Sequence, residues 1–564
     1  MAASLGKPGP FPGAPPTRRV ALSAVCETRA MPRPSIGPRR GPARGPRRAI
    51  APAAPPTAWL SLAVGAAFLA CFLALVPSVA GDGDSSEFTV VLALPGLAHP
   101  TGYAVYTLLG HAFVSLLHTL GAGWAWAANA WSAIGAALAI GAAHALAARL
   151  LARAGVPARA AGALACLPAA ALGFDPAWLH EATMAEVNAW HVAWVMGAML
   201  LAWTTAEALE AGGAPHVARR AAVWSLYVGL GASHHATSVL VSLPLTLALL
   251  ASARPLRPAT LAAAGCGLAV PPLTWTYVLY RSYHPAVAQW EALGPGLNET
   301  WNHVTAAGYR HFLGSFAPLP AQRSELLRWV APGIVPGVVA APLWARAPGR
   351  LGTMRWASAG AVLLPCVFGL AYGVEDPVSY FLAPLAISLC LLPPALAAWP
   401  AARARGRWLG ALGAAAMLAL AWAGITGAIE TRTSLGKMDD FLRRMWTAIP
   451  LEHGYVLFDR DASWRLVEYA KLDRIHANLV VVRPRLLMDD EARRIFAARH
   501  GIDPLGGASP PPFGQTDRPD EIAAFAHSVA EGINRSSRDS VVQFMPEVPS
   551  LRLLTKPASA SARR

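Results

Sequence analysis

The chain has 564 residues, of which 54% are apolar and only 14% charged, and its mean hydropathy is +0.38. A soluble domain carries about 25% charge, so a string of water-soluble domains is excluded and a polytopic α-helical membrane protein is indicated. The 47 Lys and Arg outnumber the 32 Asp and Glu by 15, yet the placement of the surplus points to the lipid bilayer and not to nucleic acid.

Residues 1–57 read as a disordered basic cytoplasmic tail: the first fifty hold ten basic side chains against Glu27 alone, Pro and Gly abound, and no hydrophobic period is visible. A span needs about 20 apolar residues. Clear candidates follow at 58–80, 125–148, 187–206, 259–280, 356–373, 378–400 and 408–429, and weaker ones at 160–173 and 329–345. Residues 221–253 carry no charge and would reach roughly 50 Å as one helix. Arg219 and Arg220 precede them and Arg254 and Arg257 follow, so both ends belong on the cytoplasmic side. The stretch is therefore a pair of short helices turning at Ser233, His234 and His235, and the total is about eleven transmembrane helices.

The basic residues agree with this count. Arg149/Arg153/Arg159, Arg219/Arg220, Arg254/Arg257, Arg346/Arg350/Arg355 and Arg403/Arg405/Arg407 fall in alternate loops, while 81–100, 174–186 and 371–377 contain no Lys or Arg. The longer external loop 281–328 is the exception, with Arg281, Arg310, Arg323 and Arg328. The first external loop, 81–124, includes an apolar segment from Tyr103 to Leu120. As a span it would put the Arg-rich loops outside, so it reads as an interfacial helix. From 430 to 564 the composition is that of a small soluble α/β domain, which an odd span count places outside the cytoplasm. The cysteines show no disulfide or zinc-ligand spacing.

Polar residues gathered at one face of so apolar a chain are costly to place and mark function. The external loops supply Asp82, Asp84, Glu87, His99 and Tyr103; His180, Glu181 and Glu186; His234 and His235; Trp290, His303, Tyr309 and Arg310; and Glu375, Asp376 and Tyr380. They are expected to converge on one outward-facing cavity. Asp82, Asp84, Glu87 and His99 lack a diagnostic metal-ligand spacing, and no metal or other cofactor is expected.

Gly83-Asp-Ser-Ser-Glu-Phe88 followed by Gly96-Leu-Ala-His-Pro-Thr-Gly-Tyr103 resembles the signature of the domain of unknown function 2723 family. That family includes the transmembrane protein 260-type O-mannosyltransferases and belongs to the C-type glycosyltransferases. The similarity continues at Ala185-Glu-Val187, Trp290, Trp301-Asn-His-Val-Thr305, Tyr309-Arg310 and Asp376-Pro-Val-Ser-Tyr-Phe-Leu382, and reaches Val456-Leu-Phe-Asp459 and Asn478 to Leu486. Ser86 stands where the family usually has Gly, and Thr101 and Ala104 replace prolines. The resemblance implies a glycosyltransferase-like membrane domain over 58–429 that transfers a sugar from a polyprenyl-phosphate donor to a hydroxyl of a protein Ser/Thr or a glycan.

The residues suit that chemistry. An acceptor hydroxyl needs a carboxylate to take its proton as it attacks the anomeric carbon, and a single catalytic carboxylate gives inversion. Asp84 is the expected base, with Glu87 positioning it or the acceptor. The leaving lipid phosphate needs cationic hydrogen-bond donors, for which Arg310, His234 and His235 are candidates. His99, Tyr103, Glu186, Trp290, His303 and Asp376 are expected to bind donor or acceptor. A transporter or lipid flippase, and an inactive scaffold whose C-terminal domain binds a partner, are the competing readings. The high Ala, Arg and Pro content suggests a bacterial inner membrane, with the site and C-terminal domain facing the periplasm.

Overall fold

The computed structural model describes residues 58–211, 217–253, 256–290, 293–314, 323–324, 326–346, 351–373, 377–398, 406–458, 462–507, 509–510, 519–537, 539, 541–545 and 550–554. The expected basic tail, 1–57, and the candidate Asp376 lie outside them.

Among the described residues seven helices are long and apolar enough to cross a membrane, or eight if Ala158–Gly173 and Pro176–Thr183, bent by 74° at their junction, make one span. Three further helices in stretches assigned to the bundle, Val217–His234, Ser238–Ser252 and Ala331–Ala345, do not reach that length and apolarity, so seven or eight spans stand against the expected eleven. The charge-free stretch does break into two helices at the His pair, as its doubly basic flanks require.

The bundle is built around Trp124–Arg153, whose alanine-rich surface is buried along most of its length. Small residues let backbones approach closely in lipid. A Cβ on Gly65 would lie 3.1 Å from Ala137 O, and one on Gly141 would lie 3.2 Å from Ser61 O, so the first span packs tightly against this helix. His144 ties three helices together, with Ser61 Oγ at 2.9 Å from Nδ1 and Gly162 O at 3.0 Å from Nε2. At the Arg-bearing end of the bundle, Arg149 pairs with Glu207 and Arg153 pairs with Glu210 at 3.1 Å.

At the opposite end two helices lie over the bundle, Asp84–Ala93 and Ala104–Thr119. The second coincides with the apolar segment that the sequence reads as an interfacial helix. The first was not legible, because every residue from Ser85 to Ala93 is buried and a helix covered on all sides carries no amphipathic period. The connection between them is pinned by 286–290: Leu97 N donates to Ala288 O at 2.9 Å, Trp290 N donates to Leu97 O at 2.8 Å, and Tyr277 Oη donates to Gly96 O at 2.6 Å. A Cβ on Gly96 would fall 1.6 Å from Ala288 O, so only glycine fits there.

The helix Gly406–Thr447 has 42 residues, about 63 Å at 1.5 Å per residue, twice what the hydrocarbon core of a bilayer requires. Its far end leaves the bundle and buries Leu442, Met445 and Trp446 against the C-terminal sheet. That sheet has the order β2-β1-β3-β4, from β1 (His453–Leu457), β2 (Asn478–Val482), β3 (Val541–Met545) and β4 (Ser550–Leu554). β1 runs parallel to both neighbours, with Tyr455 opposite Val480 and Val541, and β4 returns antiparallel to β3. Ser463–Lys471 follows β1 and packs on Asp84–Ala93.

Burial pushes the Glu468 carboxyl up to about 8; Asp473 and Asp439 push the same way, against Arg465 and Arg443. From its ordinary value of 4.5 to about pH 8 the unfolded chain releases this proton while the folded chain keeps it. Stability therefore falls across that window and levels off above it. Glu468→Gln should raise the thermal midpoint by a few degrees at pH 8.5 and match the wild type near pH 4.5 in differential scanning fluorimetry. A constant offset at all pH values would refute the assignment.

Candidate functional site

The first external loop turns at Gly83 (φ 60°) into the helix that Asp84 begins. Ser86 Oγ donates to Gly83 O at 2.9 Å, and Ser85 Oγ accepts from Ala185 N at 3.1 Å. Ser86 thus closes the turn and leaves the helix intact. Glu87, one turn on, is 2% exposed and accepts two hydrogen bonds from His99, from the backbone N at 2.9 Å and from Nδ1 at 2.8 Å. The other ring nitrogen of His99, Nε2, is 3.6 Å from Asp84 Oδ2 and 3.3 Å from Tyr103 Oη. Asp84, His99 and Glu87 form a carboxylate–imidazole–carboxylate chain.

Its electrostatics follow from that order. Burial opposes a charge on His99, but Asp84 and Glu87 overcome it and hold the imidazolium to about pH 9. Enclosure by protein pushes the Asp84 carboxyl up, His99 pulls it down, Glu87 pushes it up and Arg483 pulls it down. The Asp84 side chain remains 61% exposed, so solvent blunts the effect of enclosure, and His99 is the dominant neighbour. The three residues each offer one ligand atom within 4.8 Å of the others, so a divalent cation with mixed oxygen and nitrogen ligands would fit this set.

The remaining candidates fall into four groups. Tyr103 (φ 42°) turns its ring to within 5.8 Å of His235 and 5.6 Å of Phe88, centroid to centroid. Trp290 lies edge-on to His99 at 6.2 Å, and buried His303 lines Gly102. These residues gather around the chain. His234 and His235 are buried behind Tyr106 and Tyr103, with the His191 ring tilted against that of His235 at 4.4 Å. Half-buried Glu186 is fixed by its backbone, which exchanges two 2.9 Å hydrogen bonds with Ser132 Oγ. Arg310 is exposed, with Nη2 at 3.5 Å from Thr305 Oγ1 on its own segment; it is not drawn in beside Asp84.

Sequence reasoning missed the contribution of the C-terminal region. Arg465, fully buried, donates to Ala80 O, to Gly81 O at 3.4 Å and to Leu435 O at 3.5 Å, and faces Asp82 at 3.6 Å and Asp439 at 3.5 Å. Trp464 joins the apolar cluster of Phe88, Tyr103 and Tyr106. Arg483 directly follows β2, and its guanidinium lies 4.6 Å from the Trp464 ring and 5.5 Å from the Trp290 ring. The available signal was a basic residue at the carboxyl end of a parallel strand, where open α/β sheets place their ligands.

Residues 84–257 match the model of a family described as the Protein O-mannosyl-transferase TMEM260 N-terminal domain. The match spans both motifs of the first loop and bears out the resemblance to a glycosyltransferase family. No curated protein matches the chain in sequence. Among solved structures the chain is similar to ArnT from Cupriavidus metallidurans, crystallised bound to undecaprenyl phosphate. The identity is 13% and the TM-score 0.51, over 87% of this chain and 93% of that one. At that identity the likeness is one of fold, and it bears out the expected many-helix membrane architecture with a small C-terminal α/β region.

Replacing Arg465 by Met would remove the donor to the carbonyls of Ala80 and Gly81 and one of the two guanidiniums beside Asp439, which keeps Arg443 at 3.5 Å. Losing a hydrogen-bonding partner that carries charge costs about 1.5–3 kcal/mol. The variant should melt at a lower temperature and be cut faster by protease in the 80–84 loop. Wild-type melting and wild-type cleavage would show that the clamp does not hold the loop.

Proposed function

We propose that the chain is a membrane glycosyltransferase that moves a sugar from a polyprenyl-phosphate donor to a hydroxyl of a protein Ser/Thr or a glycan. The observation that carries this reading is the Asp84–His99–Glu87 chain, set at one end of the bundle among aromatic side chains, in a segment that matches an O-mannosyltransferase family. Undecaprenyl phosphate, bound to the similarly folded ArnT, supports the donor class.

In the proposed step Asp84 takes the acceptor proton as the hydroxyl oxygen bonds to the anomeric carbon. The bond from that carbon to the phosphate oxygen breaks, its electron pair leaves with the lipid phosphate, and the configuration inverts. His99, protonated and anchored by Glu87, keeps Asp84 ionised and oriented. Tyr103 and Trp290 offer faces for sugar rings; Glu186, His234, His235, His303, Arg310 and Asp376 are the further candidates for donor and acceptor contacts. The alternation of arginine-rich and arginine-free loops supports an extracytoplasmic site, in a bacterial inner membrane with the site and the C-terminal sheet facing the periplasm. Residues grouped at one end of the bundle favour chemistry at the membrane surface over transport through its centre.

The test is sugar transfer by purified protein in lipid nanodiscs, supplied with polyprenyl-phosphate sugars and a Ser/Thr peptide or glycan acceptor. Asp84→Asn should lower the rate by about 10²–10⁴-fold; equal rates would remove Asp84 from the role of base. Because His99 already engages Glu87 through Nδ1, the proposed reaction uses this imidazolium and no metal. Chelation with EDTA should leave the rate within about twofold of that of the untreated enzyme. A loss restored by added divalent cation would assign the same three residues to a metal instead.

A further inference from the structure

The described residues around Asp84 include a cation that does not come from the membrane bundle. Arg483 is delivered by the C-terminal sheet, immediately after β2, and its flat guanidinium lies against two indoles, Trp464 from the helix after β1 and Trp290 from the loop pinned to Leu97. Stacking on aromatic faces fixes the plane of a guanidinium, whose N–H donors match the oxygens of a planar or tetrahedral oxyanion. Trp290, 5.5 Å from the guanidinium, is also 6.2 Å from the His99 ring, so Arg483 and the Asp84–His99 pair flank one indole, and the positive charge opposes protonation of Asp84 and charging of His99. The base and this cation therefore face the same space from different parts of the chain.

Resting on the glycosyltransferase reading, we propose that Arg483 is the group that binds the phosphate of the lipid donor, so that the C-terminal region completes the donor site of the membrane domain. The chemistry fits the position. A sugar phosphodiester carries one negative charge, and the monoester that leaves carries a second as the bond to the anomeric carbon breaks. A fixed guanidinium meets that added charge with paired N–H donors. Asp84 must lie on the acceptor side of the anomeric carbon and the cation on the leaving side, which the two separate supports allow. Trp290 then has two functions, as a platform for Arg483 and as a wall beside His99.

The experiment uses the full chain in nanodiscs and compares binding of farnesyl phosphate with binding of farnesol, alongside donor KM and kcat for transfer. Arg483→Met keeps an unbranched stem between the indoles and removes the charge. It should weaken farnesyl phosphate at least about tenfold, the scale of one charged hydrogen-bonding partner, leave farnesol unchanged and raise the donor KM. Arg483→Lys should recover part of the phosphate affinity. Equal weakening of both ligands with a lowered melting temperature would make Arg483 a structural clamp and overturn the proposal. So would unchanged phosphate binding in Arg483→Met while Arg310→Met loses it. A wild type that transfers sugar with Arg483→Met unaffected refutes this inference alone, whereas a wild type that neither binds farnesyl phosphate nor transfers sugar refutes the glycosyltransferase reading with it.

Discussion

A single buried guanidinium holds the two halves of this protein in register. Arg465 reaches from the C-terminal region to the carbonyls of Ala80 and Gly81 at the start of the Asp84 loop and to Leu435 on the long exit helix, with Asp82 and Asp439 balancing its charge. Burying a charge is tolerable only when its donors and its countercharge are satisfied together. That requirement fixes three segments at once: the loop, the long helix and the helix Ser463–Lys471. The position of Asp84 relative to everything contributed by the C-terminal sheet follows from it.

The same logic operates at the site. Glu87 would be costly to bury alone, and His99 makes it tolerable by giving it both a backbone and a ring hydrogen bond. In return the two carboxylates keep His99 charged, and the charged ring restrains Asp84 at the open end of the chain. Polarity thus declines with depth: an exposed acid, a half-open imidazolium and a buried acid that serves only as an anchor. Behind them His191, His234 and His235 form a second, fully enclosed layer against Tyr103 and Tyr106, which holds the aromatic wall in place from within the bundle.

The comparisons divide along the same line. The family match covers the segment that carries the acids and the His-Pro turn, and ends near residue 257. The structural likeness to ArnT extends over most of both chains at an identity too low to carry individual residues. The groups that the C-terminal region brings to the loop, Arg465, Trp464 and Arg483, lie outside the matched segment, so their placement is read from this chain's own geometry.

The sequence by itself determined the many-helix membrane architecture, the paired helices at the His234–His235 turn and much of the set of polar residues that gather at one end, because lipid penalises unpaired charge and the arginines mark the loops. It also pointed to Asp84, Glu87 and His99 through their motif. It left the helix Asp84–Ala93 unseen, since a segment buried on every side has no period to read. Only the tertiary structure decided which cation stands near the acids. Arg310 and Arg483 look equivalent as letters, but Arg310 stays on an exposed turn, whereas a parallel strand ends so that Arg483 lies between two tryptophans more than 170 residues apart in the chain. Contacts of that separation depend on how whole elements pack, which no local pattern encodes.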